Sequence, residues 1–271
     1  MNFAPGNPIS ASQRMILGLP VCDFGWADAF IFADEVASLP IGQTVISFLN
    51  ANNANLMMKD DDYRDVLNRH LVLPDGHGID IASWLFHGKA FPANLNGTDF
   101  VPALMTYMTT PRRVAMIGSH PKILERAAEN FRKHAPWHEF IPVADGYFDM
   151  ERSDEVMARV RALKPDILLV AMGSPKQEKW IDRHVGPGHA RLVISVGALF
   201  DFMAEEVPRA SAAVRRMRLE WLHRLILEPR RLWRRYLLGN PLFIYNILRH
   251  KLAGRGKERL TVSRRSDSRS R

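Results

Sequence analysis

The sequence predicts an α/β fold: a Rossmann-like, mainly parallel sheet with helices on both faces, extended by a basic C-terminal helical appendage. Three observations predict it. From Val114 onward, short aliphatic and β-branched runs alternate with stretches of helical period. Such alternation, joined by short turns, builds parallel sheets covered on both sides. The run Ile167–Gly173 is apolar throughout, as a strand buried on both faces must be. Charge is unevenly placed: residues 208–271 carry 18 Lys+Arg against 4 Asp+Glu, and residues 1–207 carry the other 19 against 25. An acidic body with a basic end suits a polyanionic partner such as nucleic acid, anionic lipid or a phosphorylated substrate.

Element by element, residues 1–13 read as a flexible arm. Arg14–Val21 reads as one short strand and Asp28–Leu39 as an amphipathic helix closed by Pro40. Thr44–Leu49 is a buried strand, and Asn50, Asn52, Asn53 and Asn55 lead into a helix ending near Asp60. Leu71–Leu73 is a strand that breaks into Pro74-Asp75-Gly76-His77-Gly78, a turn or loop by composition. Thr98–Met108 is a helix. Strands at Val114–Ile117, Phe140–Val143, Asp166–Met172 and Leu192–Val196 then alternate with helices at Pro121–His134, Asp154–Leu163 and Pro175–Asp182. These elements make the body, residues 14–207. Residues 208–253, Arg-rich and aromatic with Pro229 and Pro241 as punctuation, predict two or three helices. Residues 254–271 predict a disordered basic tail.

Composition excludes several classes. With 46% hydrophobic and 24% charged residues the chain is no disordered polymer. The single cysteine, Cys22, excludes an intramolecular disulfide and a cysteine-rich zinc site, and fits a reducing compartment. The opening MNFAPGNPIS lacks the pattern of a secretory signal, and no stretch approaches the roughly 18 apolar residues of a membrane span. The ten histidines show no ligand spacing, so no transition-metal site is expected.

Three constellations could carry chemistry. In Gly173-Ser174-Pro175-Lys176-Gln177-Glu178, Ser174 reads as the N-cap, Pro175 as the first helical residue and Gln177 as the partner of a capping box. A helix start beyond a parallel strand suits a phosphate; Lys176 adds charge, and Gln177 or Glu178 could bond a base, ribose or sugar. Gly118-Ser119 repeats the geometry with a weaker signal. Asp75, between Pro74 and Gly76, is the candidate base, with Asp80 second. Arg224, Arg231 and Arg234 fall at steps of seven and three, on one helical face; Trp221, Leu225, Leu232 and Tyr236 share another. Clustered guanidiniums suit a diphosphate, and the same composition suits an anionic membrane surface, with Trp233, Tyr236, Phe243 and Tyr245 at the interface. Asp60-Asp61-Asp62 has the form of a metal-holding Asp-x-Asp but reads better as a solvated loop. These residues leave open a sugar-transferring enzyme, a nucleic-acid binder using the basic end, and a nucleotide-dependent Rossmann-type oxidoreductase. The second leaves the Pro74–Gly78 and Gly173–Glu178 loops without a role, and the third lacks the glycine fingerprint.

Taken together, Asn50 with its helix, Leu73–Gly78, Asn96-Gly97-Thr98-Asp99, Gly173–Glu178, Val196–Phe202, Pro208-Arg209-Ala210 and Glu220–Arg235 occur in the order found in the WecG/TagA/CpsF glycosyltransferases, which the chain resembles over roughly residues 14–250. The resemblance implies inverting, metal-independent transfer from a UDP-sugar to a polyprenyl-diphosphate-linked saccharide in cell-surface or exopolysaccharide biosynthesis, with no cofactor and no nucleic acid. It implies Asp75 as catalytic base and a donor site with Asn50, Gly118, Gly173, Lys176, Gln177 and Glu178. Arg224, Arg231 and Arg234 would close over it, and Asn52, Asn96, Thr98 and Asp99 would lie near the sugar. It further implies a cytoplasmic enzyme attached peripherally to the inner membrane face through residues 208–271, and a tendency to homo-oligomerise. Phe48 and Asn94 depart from the threonine and arginine that family members tend to carry near the sugar pocket. The donor is thus open between N-acetylmannosamine and a glucose- or glucuronate-type sugar.

Overall fold

The structure, a computed structural model, describes residues 12–211, 214, 217 and 219–267, with residues 254–267 by backbone alone. The expected arm therefore lies outside the described residues up to residue 11. β1 (Gln13–Ile16) and β2 (Leu19–Cys22) form an antiparallel hairpin rather than the one strand expected over Arg14–Val21. The reason is local: Leu17 and Gly18 both adopt positive φ (51° and 85°), the geometry of a two-residue hairpin turn.

The main sheet has six parallel strands in the order β4-β3-β8-β7-β5-β6. They are β3 (Thr44–Leu49), β4 (Leu71–Pro74), β5 (Arg113–Gly118), β6 (Glu139–Ala144), β7 (Ile167–Ala171) and β8 (Leu192–Ser195). Side chains alternate across a strand, and the core divides accordingly. Val114, Met116, Ile167, Leu169, Leu192 and Ile194 pack under α1 (Trp26–Ser38), α5 (Gly97–Tyr107), α6 (Pro121–His134) and α9 (Leu199–Met203). Their neighbours Ala115, Ile117, Leu168, Val170 and Val193 pack under α7 (Ser153–Leu163) and α8 (Lys176–His184). A third cluster joins the hairpin to α2 (Ala51–Met57), α3 (Asp61–Arg69) and α4 (His77–His87).

Two local expectations change. The helix after Asn50 stops at Met57, and a separate α3 starts at Asp61, because the Asp60 side chain accepts the Tyr63 amide and restarts the chain as an N-cap. The Pro74–Gly78 loop is shorter than composition suggested: Gly76 turns the chain at φ 86° and α4 begins at His77. Ile79, Ala82 and Ser83 form the buried face of that helix.

The C-terminal part forms α10 (Glu220–Leu227), α11 (Pro229–Trp233), a π-turn at Arg234–Leu238 and α12 (Gly239–Asp267). Residues 254–267, expected as disordered, continue α12 in the backbone; this stretch holds no proline to stop a helix. The remainder of that tail lies outside the described residues. Asn55 on α2 fastens the appendage, donating to the Gly239 carbonyl at 2.7 Å and accepting from Asn246 at 3.0 Å. Phe243 and Ile247 enter the third cluster. No helix among the described residues is long and apolar enough to cross a membrane.

Candidate active site

A cavity of about 1180 Å³ opens where β3, β4, β7 and β8 end, roofed by α10, the π-turn and α12. Parallel sheets bind ligands at this edge because every strand there delivers a loop. The parallel register pairs Leu49 with Pro74, so the next residues, Asn50 and Asp75, emerge side by side. Asn50 caps α2 with Oδ1, accepting the Asn53 amide at 3.0 Å, and with Nδ2 donates to Asp75 Oδ2 at 3.0 Å. The Asp75 amide donates to the Leu49 carbonyl at 2.9 Å, and the Gly76 amide to Asn94 Oδ1 at 2.8 Å. Asn94 thus holds the loop that carries the carboxylate. Burial pushes the Asp75 carboxyl above the usual range; the Asn50 hydrogen bond and the charges of Arg235 and Arg224 oppose that rise, while Glu220 adds to it. A carboxylate tuned upward but kept ionisable by cations suits a proton acceptor. Asp80 also lines the cavity, one turn into α4.

The Gly173–Glu178 segment lines the cavity but differs locally from expectation. Pro175, not Ser174, is the N-cap of α8, and the capping box does not form. Instead Gln177 Oε1 lies within hydrogen-bond distance of the amides of Met172, Gly173 and Gly197, at 3.2–3.3 Å. It ties the loop after β7 to the loop after β8. Glu178 Oε1 accepts from Ser174 Oγ at 2.7 Å and from Gln177 Nε2 at 2.9 Å. Its Oε2 carries no hydrogen bond, and burial pushes this carboxyl up. Gln177 and Glu178 are 2% and 1% exposed, so both shape the cavity wall from behind. Lys176 stands exposed at the rim.

Gly118 does not line the cavity; it lets β5 lie against β7. At φ 121°, an added Cβ would sit 2.2 Å from the Ala171 carbonyl oxygen. The next residue, Ser119, does face the cavity, with Oγ 3.5 Å from Asp201 Oδ1. Asp201 was not singled out as a site residue. It lines the cavity, burial pushes it up, and Arg231 is the first charge opposing that rise. Its signal was present in Val196–Phe202, where an acid falls among apolar residues just past a strand.

The arginines sort differently from their spacing. Arg224 and Arg231 line the cavity, and Glu228 bridges them at 3.7 and 2.5 Å. The third arginine there is Arg235, not Arg234. Arg234 lies over the Trp233 ring at 5.3 Å. The helix breaks at Glu228–Pro229 and then winds as a π-turn from Arg234, so a register counted on 3.6 residues per turn fails there. Arg235 Nε is buried without a hydrogen bond, and among the neighbouring charges this side chain acts most strongly on Asp75. Leu232 is buried, and the Trp221 and Tyr236 rings, expected on its face, meet at 5.8 Å.

Of the weaker candidates, Asn52, Asn96 and Thr98 line the cavity and Asp99 does not. Asn96 caps α5, accepting from the Asp99 amide and the Thr98 hydroxyl. Asp99 pairs with Arg209 at 2.7 Å. Phe48 packs on Gly97, where an added Cβ would lie 3.1 Å from its ring. Asp60 and Asp62 lie outside the cavity lining and share Lys179 at 2.9 and 2.7 Å. No cluster of His, Cys, Asp and Glu among the described residues is arranged to hold a metal ion.

The model of the Glycosyl transferase WecG/TagA/CpsF family matches residues 14–257. An N-acetylglucosaminyldiphosphoundecaprenol N-acetyl-beta-D-mannosaminyltransferase of Bacillus spizizenii is 29% identical over 238 residues, which cover 85% of this chain and 90% of the relative. The Bacillus subtilis protein of the same name is 30% identical over 211 residues, covering 76% and 80%. The match spans the sheet edge that bears Asn50 and Asp75 as well as the arginines that roof it, and so the chain belongs to the WecG/TagA/CpsF glycosyltransferase family.

Proposed function

We propose that this glycosyltransferase moves a sugar, with inversion, from a UDP-sugar to a polyprenyl-diphosphate-linked saccharide during cell-surface polysaccharide assembly. The observation that carries the reading is Asp75, held by Asn50 at the sheet edge, with Arg224, Arg231 and Arg235 of the appendage over the same cavity. Asp75 takes the proton from an acceptor hydroxyl as that oxygen bonds to the donor's anomeric carbon. The carbon–oxygen bond to the nucleotide breaks in the same displacement, which inverts the centre. UDP leaves with the electron pair, and guanidiniums offer bidentate hydrogen bonds to the growing phosphate charge. In this reading the cations take the part that a metal takes elsewhere. The relatives' names specify a diphosphoundecaprenol-linked acceptor, which supports peripheral attachment at the cytoplasmic membrane face. The exposed Trp233, Leu237 and Tyr245 of the appendage suit such a surface.

The test is a panel of UDP-sugars, including UDP-N-acetylmannosamine, UDP-glucose and UDP-glucuronate, offered with a lipid-diphosphate-sugar acceptor and read as UDP release. One donor should turn over, and activity should survive EDTA. No release with any donor would overturn the proposal. Abolition by EDTA with rescue by Mn²⁺ or Mg²⁺ would overturn its metal-independent part.

A further inference from the structure

The exposed apolar side chains of α4 and α12 form one continuous flank. The two helices run side by side in the same direction. Near their start Gly78 meets Phe243; an added Cβ there would lie 3.4 Å from the ring. Further on, the rings of Phe86 and His250 lie 5.7 Å apart, and Lys251 Nζ donates to the Leu85 carbonyl. Ala82, Phe243 and Ile247 fill the seam. On one side of that seam Asn246 reaches α2 through Asn55. Helical spacing sends Ile81 and Trp84 of α4, and Ile244 and Leu248 of α12, to the other side. Trp84 is 64% exposed and Leu248 47%. Ile81 and Ile244 line the catalytic cavity, so this flank begins inside the site and leads away from Asp75.

The geometry points to a track for the proximal isoprene units of the acceptor's polyprenyl chain along Ile81, Ile244, Trp84 and Leu248. This inference rests on the acceptor reading above and deepens it. The acceptor's parts come in fixed order: the hydroxyl that loses a proton, the sugar, the diphosphate, then the prenyl chain. The site presents both ends of that order: Asp75, Ile81 and Ile244 line the one cavity, and Trp84 and Leu248 continue the apolar flank one turn beyond them. The exposed part spans one turn of each helix, about 5 Å of rise, so it grips the start of the chain and leaves the rest to the bilayer. A general bilayer contact needs no continuity with the catalytic cavity, and this flank has it.

The test is equilibrium binding to the full chain, without vesicles or donor, of two probes: GlcNAc-diphospho-farnesol and its methyl-diphosphate counterpart. The wild-type chain should prefer the farnesyl probe by about 10- to 100-fold, since each buried methylene strengthens binding several-fold. Trp84→Ser with Leu248→Ser, both at exposed positions, should reduce that preference by about tenfold and leave the methyl probe's affinity unchanged. Equal affinity of the wild type for both probes, or a preference kept in the double variant, overturns the track while glycosyl transfer stands. A kept preference together with lost flotation on anionic vesicles would give this flank to the bilayer instead. Failure of the wild-type chain to bind either probe overturns the acceptor reading and the track together.

Discussion

The sheet edge and the appendage meet at one cavity but are built in opposite ways. At the sheet edge nearly every polar group is held by a neighbour: Asn50 caps a helix and orients Asp75, and Gln177 gathers three backbone amides from two loops. In the appendage the cations are looser. The Nε atoms of Arg224 and Arg235 are buried without hydrogen bonds, and Arg231 remains exposed. In the proposed transfer, the rigid edge fixes where the proton goes. Guanidiniums with unused donors are ready for an anion that arrives later.

The largest effects should come from breaking the rigid side. Asp75→Asn should lower turnover by about 10²–10⁴ and at the same time raise stability at neutral pH. The sign follows from burial, which lifts the folded-state value above the unfolded one. As pH rises through that window the unfolded chain loses its proton first, so the ionised carboxylate opposes folding at neutral pH and the amide does not. Activity assays beside urea melts check both; normal turnover would remove Asp75 from its role. Gly118→Ala places a methyl against the Ala171 carbonyl in a left-handed backbone and should cost about 3 kcal/mol or more in denaturant melts. Gln177→Ala strands buried amides and should cost about 2–3 kcal/mol, with activity falling as the two loops loosen.

Smaller effects sharpen the other side. Arg235→Ala should lower kcat/KM by about 10- to 100-fold and move the acid limb of the pH–rate profile upward, since that charge opposes the rise at Asp75. Arg234→Ala removes a guanidinium stacked on Trp233 and should leave kcat/KM within about twofold. Equal losses in the two variants would show that the π-turn does not set the register.

Much of this was legible in the residues. Asp75 is legible because a carboxylate in a glycine-flanked loop just past an apolar strand can face a ligand, although Asp-Gly is also a common turn. The parallel body was legible from Val114 onward, where aliphatic runs and helical stretches alternate in unbroken order. The earlier half was harder to read. The hairpin turn at Leu17-Gly18 carries only one glycine, and α4 begins among the glycines of an apparent loop.

What the sequence determined by itself is the chemistry on offer: one placed carboxylate, a basic end rich in arginine, and buried strands to array the loops. The period of apolar residues is a local property, so it survives without knowledge of the fold. Tertiary structure alone decided which side chains share the cavity. The β3–β4 register set Asn50 beside Asp75, and the break at Pro229 with the π-turn chose Arg235 over Arg234. The first depends on segments far apart in the chain; the second begins at Pro229, which the sequence marks, and is completed by a π-turn that a count of 3.6 residues per turn does not anticipate.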